Sequence, residues 1–293
     1  MTGTGETSMP TVSVVVPVFN GAGTIRACLE SILQLVPPTG GFEVLCIDNG
    51  STDSTVELVR SVAPTVQLLH ESTRGAAAAR NCGIRASRAT IVAFTDADCE
   101  VDRHWLERLI VPLDDPTVGI VGGRILARPP ANYVERFGEV IHDHRRAIEV
   151  LRPPYAITMS WASRREVLLA CGLFDERLLR GQDAELAWRI GRHGYRLHYV
   201  DEATVYHRNE RTLRGLFGEG YTHGYHAPQV RALHADALPG LDRRSQMRRA
   251  LLRAWISQSR PEADWRERLC SRVFNAGKAV GEIRALVGLR LER

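Results

Sequence analysis

The strongest constraint on this chain is a continuous apolar, β-branched run at residues 12–19, VSVVVPVF. A strand that faces water on one side alternates apolar and polar residues, and this one does not. It therefore reads as a strand buried on both faces, the signature of a parallel sheet covered by helices. Asn20-Gly21-Ala22-Gly23 follows as turn chemistry. Residues 24–36 then place Ile25, Leu29, Ile32 and Leu33 on one helical face.

The same unit recurs in kind. Residues 42–47, 66–69 and 91–95 read as further buried strands. Helices are expected at 54–60 (capped by Asp53 or Ser54), 75–87 and 104–112. Residues 118–121 read as a fifth strand, and 131–151 as a polar helical stretch. Residues 156–162 and 197–200 are further strand candidates around a helix at 183–193. This alternation predicts an α/β fold with an open, doubly wound, mostly parallel sheet. Past residue 210 the strand signals stop and Arg-rich amphipathic helices take over. The expected organisation is a domain over 11–210 and a helical appendage over 211–293.

Composition narrows the function classes. The chain has 293 residues, 44% hydrophobic and 25% charged, enough for a sizeable core. The formal net charge of +4 is compatible with an anionic small substrate and requires no nucleic acid. The six cysteines form no CxxC pair, and several sit in apolar runs. They read as reduced core thiols of a cytoplasmic protein. The first residues, MTGTGETSMP, lack the pattern of a signal peptide, and no apolar run is long enough to span a membrane.

In such sheets ligands sit beyond the carboxyl ends of the strands. Asn20, Asp48, Asn49, Asp96 and Asp98 stand at those ends. In IVAFTDAD an apolar strand delivers two carboxylates in i, i+2 relation. Hard oxygens of this kind suit Mg²⁺ or Mn²⁺ shared with substrate phosphates, though alone the pattern also fits a solvated turn. Asp48-Asn49-Gly50-Ser51-Thr52-Asp53 serves as turn and helix cap, and its first two side chains can also hydrogen-bond a base or ribose. In Thr73-Arg74-Gly75 a glycine opens an Ala-rich helix whose N-terminus favours anions, and Arg74 can pair with a phosphate. Asp183 and Glu185 open another helix. Acidic residues there complement the helix dipole, and Asp183 is also a candidate general base.

Taken in order, VSVVVPVFN, VLCIDNGSTDST, TRGAAAARNCGI, IVAFTDADCEVDRHWLERL and GLFDERLLRGQDAELAWRIGRHGYRLHYV resemble the inverting glycosyltransferases of family 2, non-processive and bacterial in type, over residues 11–210. The resemblance implies a GT-A fold and a metal-dependent transfer of one sugar from a nucleotide-diphospho-sugar, with UDP- or dTDP-sugars favoured. The acceptor would be a hydroxyl on a glycan, glycolipid or secondary metabolite. It puts Pro17, Phe19 and Asn20 near the nucleoside, Asp48 and Asn49 on base and ribose, Arg74 near the diphosphate, and Asp96 near the ribose or donor sugar. Asp98 and His207 would hold Mg²⁺ or Mn²⁺, Asp183 would be the catalytic base, and Trp161 and Gln182 would face the acceptor. Many members carry two aspartates where this chain has Asp48-Asn49. A Gln-x-x-Arg-Trp pattern after Asp183, the mark of processive synthases, does not occur.

Two rival readings use the same features. A nucleotidyltransferase would want a Gly-rich loop with a lysine after the first strand, and Asn20–Thr24 has none. A non-catalytic nucleotide-sugar-binding protein would not need Asp96, Asp98 and Asp183 together. His142, Asp143 and His144, or His223 with His226, could suggest metal, but read better as surface or acceptor-side residues. Tyr155 and Trp188 read as core. Arg243, Arg244, Arg248, Arg249 and Arg253 interleave with Leu251, Leu252, Trp255 and Ile256, a pattern open to packing, homodimer contact or peripheral membrane contact.

Overall fold

The computed structural model describes residues 9–62, 65–235, 243–253 and 262–288. Eight strands form one sheet in the order β3-β2-β1-β4-β7-β6-β8-β5. Four of them make the parallel half: β1 (Val12–Val18), β2 (Phe42–Asp48), β3 (Val66–His70) and β4 (Ile91–Phe94). Five of the seven β1 side chains, Val12 to Val16 with the polar Ser13 among them, have no exposed surface, as a run buried on both faces requires. Helices α1 (Ile25–Leu33), α2 (Thr55–Val62) and α3 (Ala76–Ala86) connect these strands. Asp53 caps α2, its carboxylate accepting from the Thr55 backbone N–H at 3.1 Å.

Beyond β4 the sheet becomes antiparallel. β7 (Trp161–Arg164) pairs antiparallel with β4 and with β6 (Val118–Ala127). β5 (Cys99–Val101) pairs antiparallel with β8 (Arg196–His207). Helix α4 (Trp105–Ile110) lies between β5 and β6.

Several elements differ from the sequence reading. Residues 156–160 are not strand: Thr158–Ser160 is a 3-10 turn, closed by Ser160 N–H on the Ile157 carbonyl, and the strand starts at Trp161. The stretch 131–151 is a capped helix, α5 (Tyr133–Ile141), and a separate π turn at Arg146–Val150. Asn132 caps α5 by accepting from Val134 and Glu135 N–H at 2.9 and 3.0 Å. β6 extends to Ala127 and β8 to His207, well past the short apolar runs that announced them. β5 has only three residues and exists through its pairing with β8, so no periodicity marks it.

Contacts divide the chain into two compact units. The first holds the described residues of Met1–Ile125, His144–Glu176 and Leu186–His207. Its core lies on both faces of the sheet. One cluster includes Val14, Ile25, Leu29, Trp105 and Leu106. The other includes Val15, Phe94, Trp161, Leu186 and Ile190, with α6 (Arg165–Ala170) and part of α7 (Gln182–Arg192) covering it.

The second unit holds the described residues of Leu126–Asp143, Arg177–Glu185 and Arg208–Arg293. It is built on α8 (Leu213–Leu233) and α10 (Trp265–Gly288), with α5 and α9 (Arg243–Arg253). Its small core is Val134, Phe137, Leu216, Cys270 and Phe274. Among the described residues no helix is long and apolar enough to cross a membrane. On α9, Arg244, Arg248, Arg249, Leu251 and Leu252 are all exposed, while Trp255 and Ile256 lie outside the described residues.

Candidate active site

Registry places the expected residues at one sheet edge. Val18 pairs with Asp48 at the carboxyl ends of β1 and β2, and β4 ends at Phe94, two residues before Asp96. The edge is bound together by backbone: Asn49 N–H donates to Val18 O at 2.8 Å and Glu71 N–H to Asp48 O at 2.9 Å.

Asp48 is buried. Its carboxylate accepts from Ser51 N–H at 3.1 Å and lies 3.2 Å from His70 Nδ1. Burial by itself would raise its pKa, but the Ser51 hydroxyl and N–H, with His70, hold it below the usual carboxylate value. It therefore stands ionised as an acceptor.

Asn49 has a different job from the one its neighbour suggests. Its Nδ2 donates to Glu71 O at 2.9 Å and Thr73 O at 2.7 Å, and its Oδ1 accepts from Gly75 N–H at 2.7 Å. Both amide protons are thus engaged in shaping the loop that carries Arg74 and starts α3. Gly75 sits there at φ 126°, a conformation that L side chains rarely adopt.

Asn20 is similarly engaged. Its Oδ1 accepts from Thr52 N–H at 2.8 Å and its N–H donates to Ser51 Oγ at 2.9 Å, joining the β1 and β2 loops. Pro17 is half-buried within β1. Phe19 is exposed, and the Arg74 guanidinium lies 4.7 Å over its ring. An exposed aromatic carrying a cation suits stacking beside a phosphate.

The two aspartates after β4 are distinct. Asp96 accepts from Arg80 Nη2 at 2.6 Å. Arg80 projects from the buried side of α3, and the sequence reading did not single it out. It is an arginine in an apolar helix face, and its Nε and Nη1 are buried without a hydrogen-bond partner. Asp98 is exposed, and its Oδ2 lies 3.4 Å from His207 Nε2. The reason is the β5–β8 register, which sets Cys99 opposite His207.

That pair fits a divalent ion. Two ligands at about 2.1 Å from a hexacoordinate ion stand about 3 Å apart, close to the observed 3.4 Å. Among the described residues no group of three or more His, Cys, Asp or Glu forms a metal cage. An ion held by Asp98 and His207 would therefore be completed by water and phosphate oxygens, the usual arrangement for Mg²⁺.

The acceptor-side residues separate. Trp161 has no exposed surface and packs edge-on against Phe94 and Phe174, with centroids 6.2 and 5.7 Å away. It is core and presents no face to a sugar. Gln182, in the second unit, is buried with its Oε1 unpartnered. Asp183 follows in the first turn of α7, half-buried, one oxygen accepting from Ala184 N–H at 2.8 Å.

His142 and His144 are both buried and serve structure. His144 is buried, with Nδ1 2.7 Å from Gly123 O and Nε2 accepting from Ile157 N–H at 2.8 Å. Both ring nitrogens are engaged, and burial lowers its pKa to about 4. His142 Nε2 lies 3.6 Å from Glu219. The six thiols are free, and burial pushes Cys46 up to about 12.

This mixed sheet, with acceptors at its carboxyl edge and a carboxylate–imidazole pair beside them, defines a GT-A-type glycosyltransferase. The glycosyl transferase family 2 model matches residues 13–170, and the chain belongs to that family. Among curated relatives, glycosyltransferase AglE of Haloferax volcanii is 31% identical over 206 residues, 68% of this chain and 67% of that protein. The pre-mycofactocin glycosyltransferase of Mycobacterium tuberculosis is 31% identical over 258 residues, 85% of this chain but only 52% of its own length. Among solved structures, the mannosyltransferase PcManGT from Pyrobaculum calidifontis, in complex with GDP-Man and Mn²⁺, matches with TM-score 0.62 and 24% identity, covering 97% of this chain and 76% of that one. TarS 1–349 of S. aureus in complex with UDP matches with TM-score 0.56 and 16% identity, covering 97% and 92%. These two likenesses are of fold.

Proposed function

We propose that the chain transfers a single sugar from a nucleotide-diphospho-sugar to a hydroxyl of a discrete acceptor, with inversion and with Mg²⁺ or Mn²⁺, in the cytoplasm. The observation that carries this is the 3.4 Å approach of Asp98 Oδ2 to His207 Nε2 beside the strand ends. Asp98 and His207 would hold the divalent ion, which would supply neutralisation of charge on the diphosphate leaving group. Ionised Asp48 accepts from the imide N–H of a pyrimidine, which favours UDP- or dTDP-sugars. Arg74, over Phe19, pairs with phosphate oxygens. Asp96, fixed by Arg80, accepts from ribose or sugar hydroxyls. Gln182 faces the acceptor.

Asp183 takes the acceptor hydroxyl proton as that oxygen attacks the anomeric carbon. The bond from that carbon to the diphosphate breaks, and its electron pair leaves with the nucleoside diphosphate. One base and single displacement give inversion. The catalytic unit in this reading spans 11–210, with 211–293 as its helical appendage.

The test is nucleoside diphosphate release from a panel of nucleotide-sugars, with Mn²⁺ and with EDTA. Metal-dependent release is expected, and Asp183→Asn should bind donor without turnover. Pyrophosphate release, or full turnover by that variant, overturns the assignment.

A further inference from the structure

Within the second unit, the segment that leads into Asp183 and the first turn of α7 lies along α8. A Cβ at Gly181 would press on Val230, and Glu185 pairs with His234 Nε2 at 3.2 Å. His223 stands seven residues before Val230, on the same face of that helix. Arg180 adjoins Gly181 and acts electrostatically on His223, and His226 stands one turn along the same helix. Helix α10 supplies the other wall. The Phe274 ring lies 5.9 Å from His223 and 5.9 Å from Lys278 Nζ, and Gly224 abuts the Lys278 backbone.

Arg180 is exposed, and His223, His226 and Lys278 are partly so. Burial first, then the charges of Lys278, Arg180 and His226, lower the His223 pKa to about 4, which leaves a neutral ring among cations. An acidic group, Glu219, also faces it, 3.9 Å from His223 and 3.6 Å from His142. Lys278 is the only lysine in a chain rich in arginine, and an ammonium is a compact charge with rotatable donors. Residues 208–293 carry 17 basic and nine acidic side chains, whereas the chain as a whole is only +4.

We propose that Arg180, His223, His226 and Lys278 form an anion subsite that receives a phosphate group of the acceptor. This rests on the transferase reading with Asp183 as base. The subsite begins three residues before Asp183, so it places a phosphate-bearing acceptor beside the base. The phosphate can belong to a lipid headgroup or to a soluble molecule, since the donors recognise the same oxygens.

The test is calorimetric titration of the full chain with octyl phosphate, inorganic phosphate and octanol. Octyl phosphate should bind and octanol should not. Arg180→Gln and Lys278→Met should each raise Kd for octyl phosphate at least tenfold, while Lys278→Arg retains binding. Much tighter octyl phosphate than inorganic phosphate indicates a lipid-linked acceptor, and equal binding a soluble one. Both outcomes support the subsite. Absence of phosphate binding, or unchanged affinity in both charge-removing variants, overturns it. Nucleoside diphosphate release in the same samples reads the parent assignment separately: release without phosphate binding sinks only the subsite.

Discussion

Arg80 donates to Asp96 at 2.6 Å from inside the protein, with 4% of its side chain exposed against 24% for Asp96. A buried guanidinium with two unpartnered nitrogens is costly, and Asp96 is what compensates it. Asp96→Asn leaves that charge buried and uncompensated and should therefore lower stability by about 3 kcal/mol, the usual effect of breaking a buried pair from one side, whereas Arg80→Met removes the buried charge itself and should cost little. Arg80→Met should raise KM for donor more than it lowers kcat, because Asp96 loses its fixed orientation. Arg80→Lys should restore only part of the KM. Chemical denaturation and donor kinetics read the two effects apart.

Asn49→Asp would give the paired aspartates that the family resemblance leads one to expect, yet here it should destabilise. The variant loses both donations to Glu71 O and Thr73 O and sets a carboxylate against those carbonyls. A loss of about 1–3 kcal/mol is expected, from two part-buried hydrogen bonds left unmade and from repulsion between the carboxylate and the carbonyl oxygens. Weaker nucleoside diphosphate binding should follow as the Arg74 loop loosens. A variant as stable as the parent would show that the loop does not depend on the amide.

His144 gives the first unit an acid limit. Its pKa is about 4 folded, against the ordinary value of 6.5 that the unfolded chain has. The unfolded state binds the proton first, so this contribution is complete above about pH 6.5 and is lost as pH falls toward 4. The full loss is on the order of 3 kcal/mol, because each tenfold weakening of proton binding is worth about 1.4 kcal/mol. His144→Gln should flatten the stability profile between those values in denaturant titrations. An unchanged slope would place the acid sensitivity elsewhere.

Helices α8 and α10 meet backbone to backbone. Added Cβ atoms at Gly220 and Gly224 would strike the Phe274 and Lys278 carbonyls, and those at Gly277 and Gly281 the Phe217 and Tyr221 carbonyls. Alanine normally favours a helix over glycine by about 1 kcal/mol. Here the obstacle is backbone, which cannot rotate away, so Gly224→Ala and Gly281→Ala should destabilise by about 1–3 kcal/mol. Gly218→Ala meets open space and should stabilise. Thermal melts of the three variants order them.

The local features of this protein were legible along the chain. Apolar β-branched runs announced the parallel strands because two-sided burial excludes polar residues, and the runs end where Asp48 and Asp96 begin. Hence the sheet class and the carboxylates at its edge follow from the sequence alone. Tertiary structure decided what no local pattern encodes. The three-residue β5 is too short to show a period, yet its pairing with β8 brings His207 to Asp98. Arg80 looks like any helical arginine until α3 packs it against Asp96. Trp161, a plausible sugar platform by position, is enclosed by Phe94 and Phe174 from distant elements. Asn49 reads as a ligand contact until the 71–75 loop folds over it and takes its amide. Sequence determines which groups stand at a strand end, because periodicity and burial act over a few residues. Which partners those groups meet is set by hydrogen bonds and packing between segments tens of residues apart.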